Sequence, residues 1–304
     1  MSQRTVNSYQ LTIHHAARAA FDADGRQLAV LRAAPRQPTG ICPIVLMVPG
    51  YTGSKEDFAP LLDPLADNGF HAVAIDLPGQ YESAGPSDEA GYSPNALGVM
   101  LAGMIAQLPG PVILLGHSYG GLVARAAVLA GSRVAGLVLL DSGPAALPAG
   151  PRTLAMEGGA PVLRDQGIKA AYEFRRSLTA DLRRPPTAEL EGFYRKRFLA
   201  SAPAGLLGMA AAIVAEPDLV TELAAALDAA TIPVAVISGE ADDAWGIEQQ
   251  AAMARRLGTS LLVIPGAAHS PNVEQPERLL RILLPRLRSW TTGSRAVPPS
   301  PERR

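Results

Sequence analysis

The stretch Val112-Ile113-Leu114-Leu115-Gly116-His117-Ser118-Tyr119-Gly120-Gly121-Leu122-Val123-Ala124-Arg125-Ala126-Ala127-Val128-Leu129 decides the fold. It opens on a short apolar run and closes on Gly121–Leu129, a segment of strong helix character. Between them Gly116-His117-Ser118-Tyr119-Gly120 reads G-x-S-x-G. Strand, sharp turn with a serine at its tip, then helix: this is the context that a nucleophile elbow requires. The flanking glycines suit a turn too tight for nearby side chains. The five-residue pattern alone is a weak signal. The strand before it and the helix after it strengthen it, and the rest of the chain is read for the partners such a serine needs.

Upstream, Ile44-Val45-Leu46-Met47-Val48 is a continuous apolar run that stops at Pro49-Gly50, as suits a strand buried on both faces of a parallel sheet. Ser54, with Asp57 three residues on, can cap a helix running to about Asn68-Gly69. A strand, Ala72-Val73-Ala74-Ile75, then ends at Asp76-Leu77-Pro78-Gly79, and a helix over 94–107 follows. Val134 to Leu140 is a further buried strand, ending at Asp141. Strands alternating with helices imply right-handed crossovers and a parallel sheet. Nearer the N-terminus, Tyr9–His14 and Gln27–Arg32 read as an edge hairpin joined around Asp24-Gly25, with His14 and His15 as surface residues.

From Gly143 to about Ala230 the alternation breaks into short helical pieces around 165–180, 187–200, 203–215 and 217–229, expected as a helical cap inserted after the sixth strand. The rhythm resumes with a strand over Val234–Ser238, a helix over 246–257, a strand over Ser260–Ile264 and a last helix over 276–290. The expected organisation is a flexible N-terminus (1–8), an α/β core (9–142 and 231–290), a helical cap with its return segment (143–230) and a disordered tail (291–304).

A serine hydroxyl is a poor nucleophile at neutral pH and needs a base within hydrogen-bond reach. His269, in Pro265-Gly266-Ala267-Ala268-His269-Ser270, follows the last strand at the sheet edge where catalytic groups of open α/β sheets gather. His71 opens a strand at the wrong edge, and the His117 side chain is expected to point away from that of Ser118. The base needs a carboxylate to fix its tautomer and stabilise its charged form. Strand 234–238 leads into Gly239-Glu240-Ala241-Asp242-Asp243, giving the chain order serine, acid, histidine. Asp242 is the first choice, with Asp243, Asp141 and Glu240 as alternatives. Two backbone N–H groups should receive the oxyanion of a tetrahedral intermediate. One is expected from Tyr119, just after the serine, and one from Tyr51, in a loop that Gly50 and Gly53 allow to approach closely.

The segments Pro49-Gly50-Tyr51-Thr52-Gly53-Ser54, Asp76-Leu77-Pro78-Gly79, Gly116-His117-Ser118-Tyr119-Gly120-Gly121, Gly239-Glu240-Ala241-Asp242 and Gly266-Ala267-Ala268-His269 together are highly specific. By them the chain resembles the α/β-hydrolase superfamily from about residue 9 to 290. The resemblance implies an α/β fold: a mostly parallel eight-stranded sheet, its second strand antiparallel, with helices on both faces. It also implies an esterase- or lipase-like serine hydrolase whose triad is Ser118, Asp242 and His269 and whose oxyanion hole is the Tyr51 and Tyr119 amides. Two departures stand out. The usual His-Gly before the oxyanion loop is Pro49-Gly50 here, and the usual Gly-His-Gly after the fourth strand is Pro78-Gly79-Gln80-Tyr81. A serine nucleophile argues against haloalkane dehalogenases and epoxide hydrolases, which use aspartate.

At 304 residues and 48% hydrophobic content a large core is available, and a net charge of −1 offers no electrostatic case for nucleic acid or an anionic membrane. Cys42 is the only cysteine, which excludes an intramolecular disulfide and a cysteine metal site and fits a cytoplasmic protein. The N-terminus lacks the apolar core of a signal peptide, and no stretch of about 20 residues is uniformly apolar. Neither cofactor nor metal is expected. The expected reaction is hydrolysis of a small or medium apolar ester, thioester or lactone through an acyl-enzyme. One alternative is a thioesterase or cyclase acting on a carrier-bound biosynthetic intermediate; another is a ligand-binding homologue with little or no turnover. In the cap, Leu206, Leu207, Met209, Ile213 and Val214 could line an acyl pocket or simply pack on the sheet. Arg175, Arg176, Arg183, Arg184, Arg195, Lys196 and Arg197 read as a solvated face, or else as a landing site for a carboxylate or a phosphopantetheine carrier.

Overall fold

The computed structural model describes residues 9–23, 25–38, 40–179 and 186–292. Eight strands form one sheet: β1 (Ala17–Ala23), β2 (Arg26–Ala33), β3 (Ile44–Val48), β4 (His71–Ile75), β5 (Val112–His117), β6 (Gly136–Leu140), β7 (Val234–Gly239) and β8 (Leu261–Ile264). Their order across the sheet is β1-β2-β4-β3-β5-β6-β7-β8. β2 runs antiparallel to both β1 and β4, and every pairing from β4 onward is parallel. The helices that cross over the sheet are α1 (Ala59–Asp67), α2 (Pro94–Ala106), α3 (Tyr119–Leu129) and α8 (Ile247–Arg256), and α10 (Pro276–Thr292) packs on it after the last strand. Between β6 and β7 lie α4 (Pro151–Thr179), α5 (Ala188–Ala200), α6 (Pro203–Ala215) and α7 (Val220–Ala229), and a short α9 (Pro271–Glu274) follows β8.

The unbroken apolar runs of the central strands follow from burial on both sheet faces. In β3, Ile44, Leu46 and Val48 enter the core under α2 and α3, while Val45 and Met47 enter the core under α1 and α10. β5 and β6 divide the same way: Leu114 and Leu139 on the first face, Leu115 and Leu140 on the second. The register sets where the strands end. Val48 pairs with Gly116, His117 with Leu140, Leu140 with Ile237 and Gly239 with Ile264. The strands therefore end nearly level, and the loops after β3, β4, β5, β6, β7 and β8 open along one rim.

Three local expectations need correction. The first strand is not Tyr9–His14 but Ala17–Ala23; Tyr9–Leu11 forms a 3-10 turn instead. Turn geometry decides this. Ala23 pairs with Arg26, closing a tight hairpin, so only the residues just before the turn can reach β2. The apolar look of the earlier segment misled, since Ile13 is 94% exposed. The helical pieces expected from 165 start earlier, because α4 begins at Pro151 and breaks at Gly167, whose backbone (φ 82, ψ 177) is not helical. Gly158, Gly159 and Pro161 depress helix propensity in its first half, but a Cβ on Gly158 would lie 2.9 Å from the Phe174 ring, so glycine lets the two halves pack. Finally, α10 takes in residues 291 and 292 of the expected tail. The rest of that tail, residues 1–8, the turn residue Asp24 and the cap arginines Arg183 and Arg184 lie outside the described residues. Among the described residues no single helix is long and apolar enough to cross a membrane.

Candidate active site

Ser118 occupies the turn between β5 and α3 with φ 55 and ψ −121, a conformation that costs a non-glycine residue about 1–3 kcal/mol. Its N–H donates to the Leu140 carbonyl (2.8 Å) and its carbonyl accepts from the Gly121 N–H (2.8 Å). The turn is thus fixed to the neighbouring strand and to its own helix, and the hydroxyl is lifted off the sheet rim.

Ser118 Oγ lies 2.9 Å from His269 Nε2, and His269 Nδ1 lies 2.7 Å from Asp242 Oδ1. Asp242 also accepts from the Ala244 N–H (2.9 Å) and from Gln250 Nε2 (2.7 Å). Burial alone would raise the Asp242 pKa, but the His269 hydrogen bond and charge, with the Ala244 amide and Arg152, outweigh it and hold the carboxyl below its ordinary range. An ionised Asp242 places the imidazole proton on Nδ1 and turns the Nε2 lone pair to the serine hydroxyl, a tautomer assigned from this network.

The competing acids are elsewhere or differently occupied. The Asp243 side chain is 54% exposed and pairs with Arg152 at 2.5 Å. Glu240 accepts from the Gly266 N–H (2.9 Å), bracing the loop that carries His269. Asp141 is fully buried and accepts from the Gly239 N–H at 2.8 Å. Burial first, and then the Asp242 charge, raise its pKa well above the carboxylate range. Carboxyl and imidazole atoms of Asp141, Asp242 and His269 lie within 4.8 Å of one another. Two carboxylates this close do not both ionise, so Asp141 carries the proton and Asp242 the charge.

His117 and Gln250 were not anticipated. The His117 ring turns toward His269, not merely away from Ser118. Its Nε2 is 2.6 Å from the His269 carbonyl, and the two rings lie 5.2 Å apart between centroids. Burial, then the His269 charge, pull its pKa down to about 4, so at neutral pH it is uncharged and its Nε2–H donates to that carbonyl. Gln250 spans Asp242, Ser238 Oγ (2.9 Å) and the Trp245 carbonyl (2.7 Å). His117 was visible as the serine's neighbour, but nothing in the sequence around Gln250 marks it.

The two amides expected to receive an oxyanion are both on the rim. The Tyr119 N–H heads α3, where the first N–H groups have no helical acceptor. The Tyr51 N–H follows Gly50, at whose position a Cβ would stand 3.0 Å from Ser118 Cβ and 3.3 Å from His117 Nδ1. The missing side chain eases this close approach of the loop to the serine. Among the described residues neither N–H meets an acceptor.

The inserted helices close over this rim. Leu206, Leu207, Phe198, Tyr172 and Leu163 form a cluster against Tyr51, while Met209 and Ile213 join the main core. Ser118 and His269 are left 5% and 7% exposed. The basic residues of the insertion do not all form a solvated face: Arg197, 11% exposed at its side chain, pairs with Asp57 at 2.7 Å.

The family model described as "Alpha/beta hydrolase family" matches residues 45–282 of the chain. A pimeloyl-[acyl-carrier protein] methyl ester esterase of Edwardsiella ictaluri is 32% identical over 219 residues, which cover 68% of this chain and 79% of that protein. Among solved structures, a thermophilic esterase from Thermogutta terrifontis matches with a TM-score of 0.69 and 26% identity, covering 91% of this chain and 99% of that one. A carboxylesterase of the thaumarchaeon Nitrososphaera gargenis matches with a TM-score of 0.71 at 19% identity, covering 90% of this chain and 100% of its own, and is alike in fold.

Proposed function

The chain belongs to the alpha/beta hydrolase family, and from that premise we propose that it is a serine hydrolase cleaving small or medium apolar carboxylic esters through an acyl-enzyme. The observation that carries the proposal is the continuous row Ser118 Oγ, His269 Nε2, His269 Nδ1, Asp242 Oδ1, with both contacts under 3 Å at 2.9 and 2.7 Å. His269 Nε2 takes the hydroxyl proton as Ser118 Oγ attacks the ester carbonyl. The carbonyl oxygen becomes an oxyanion received by the Tyr51 and Tyr119 N–H groups. Asp242 stabilises the imidazolium without taking its proton. Collapse of the tetrahedral intermediate expels the alcohol, protonated by His269, and water then releases the acid by the same path.

An apolar acyl chain is supported by the apolar side chains that residues 143–230, acting as a cap, bring beside the oxyanion loop: Leu206 and Leu207 cluster against Tyr51, and Met209 lies against Gln80. A second reading, an acyl group presented on a carrier protein, is favoured by the 32% identical methyl ester esterase. Initial rates across p-nitrophenyl esters of graded chain length, the matching acyl-CoA thioesters and acyl groups carried on an acyl-carrier protein test both. Turnover of the esters with a preference for apolar chains is expected. Turnover confined to thioesters or to carrier-bound acyl groups would transfer the proposal to the second reading. No turnover by folded protein would end both.

A further inference from the structure

We infer that Gln80 is a positioning residue for the proposed oxyanion hole, fixing the peptide that joins Gly50 to Tyr51. The inference rests on the hydrolase reading above and goes beyond it. Gln80 is buried, 3% exposed, in the loop after β4. Its Oε1 accepts from the Leu77 N–H at 3.1 Å and its Nε2 donates to the Gly50 carbonyl at 2.8 Å. A donor facing one atom and an acceptor facing the other fix which way the carboxamide points.

The Gly50 carbonyl and the Tyr51 N–H belong to one peptide group. That group is planar and trans, so the two point in opposite directions. Holding the carbonyl toward Gln80 therefore holds the N–H the other way. A Cβ at Gly50 would crowd Ser118 Cβ at 3.0 Å and His117 Nδ1 at 3.3 Å, so glycine eases the close approach. The same missing Cβ leaves its backbone torsions loosely restrained. A rotated peptide would put a carbonyl, not an N–H, where the oxyanion forms. Two hydrogen bonds oppose that rotation: the Gly53 N–H at 2.9 Å, from within the loop, and Gln80, from outside it. Both also polarise the peptide, which makes its N–H a stronger donor. Gln80 Nε2 further lies 3.8 Å from Met209 Sδ, on the inserted helix α6, so the brace sits between the oxyanion loop and the helices above it.

Steady-state hydrolysis of p-nitrophenyl butyrate tests this with the full chain, each variant's melting temperature being measured at the assay pH. Gln80→Met keeps the side-chain length and removes both polar atoms. It is expected to lower kcat at least about tenfold, short of the ~10²–10³-fold cost of losing an oxyanion donor, with KM within about twofold of wild type. Gln80→Glu keeps an acceptor for the Leu77 N–H but, when ionised, turns an oxygen lone pair against the Gly50 carbonyl. Its kcat relative to wild type is expected to be lowest near pH ~8 and to rise as the pH falls toward ~6, where the neutral carboxyl donates again. A folded Gln80→Met with wild-type kcat, or a Gln80→Glu ratio that does not change with pH, overturns the inference. Should Gln80→Met not fold, the Gln80→Glu ratio decides. If wild type turns over no ester and its serine takes no fluorophosphonate, the hydrolase reading has failed and the inference falls with it; if wild type is active and only the Gln80 expectations fail, the reading stands alone.

Discussion

Asp141 and Asp242 end adjacent strands and stand side by side behind His269, yet their surroundings give them different charges. Asp242 accepts from His269, Ala244 and Gln250, whereas Asp141 is buried with the Gly239 N–H as its one strong donor. Asp242→Asn is expected to lower kcat about ten-thousand-fold, because an amide cannot enforce the Nδ1–H tautomer. Asp141→Asn imitates a protonated acid and should keep most of the activity; the reverse pattern in kcat would make Asp141 the acid. His117 gives a pH signature. Its pKa falls from 6.5 to about 4 on folding, so between those values the unfolded chain holds a proton that the folded one lacks. Stability from this residue is complete above about pH 6.5 and shrinks on acidification by about 1.4 kcal/mol per pH unit, or about 3 kcal/mol by pH ~4. Urea titrations of wild type and His117→Gln should diverge over that window, and parallel slopes would contradict the assignment. That Ser118, His269 and a carboxylate gather at one sheet edge was legible, because each follows an apolar run at a recognisable turn. The choice between Asp242 and Asp141 was not, since it depends on which carboxyl meets the imidazole, and the roles of His117 and Gln250 depend on ring direction and on how α8 packs.

The loop after β3 is the element on which the rim depends, and it is tied down at several points. The Asp57 carboxylate accepts from the Ser54 N–H at 3.1 Å and from Arg197 at 2.7 Å, joining the loop to α5. The Lys55 N–H and ammonium reach the two oxygens of Asp76, at the end of β4, at 2.7 and 2.8 Å. Both members of the Asp57–Arg197 pair are about nine-tenths buried, so removing one leaves the other charge without its partner. Arg197→Met is expected to destabilise the protein by about 3 kcal/mol, read by urea denaturation, with a lower kcat as the loop loosens. A loss below about 0.5 kcal/mol would place this pair with the exposed ones. At this scale the sequence was readable wherever periodicity and burial agreed, as in β3, β5 and β6. It was misread at β1, where hairpin closure overrode the apolar pattern, and at the start of α4, where glycines serve interhelical packing and not a loop.

Across the whole molecule, a sheet whose strands end level gathers six loops on one rim, and the helices between β6 and β7 fold over them. That architecture was legible because buried parallel strands leave unbroken apolar runs and because the serine turn marks the centre of the sheet. What the rim admits was not legible, since Leu206, Leu207 and Met209 declare their facing only through the packing of the inserted helices. Ser118 and His269 are nearly closed off in this arrangement. Everything proposed converges on Ser118 as an activated nucleophile. The most direct measurement is labelling by a fluorophosphonate, read by mass spectrometry of the modified peptide, on wild type and on Ser118→Ala. Wild type should carry one adduct, on Ser118, and the folded variant none. A folded wild type that takes no label, or a Ser118→Ala that is labelled as well as wild type, would contradict it.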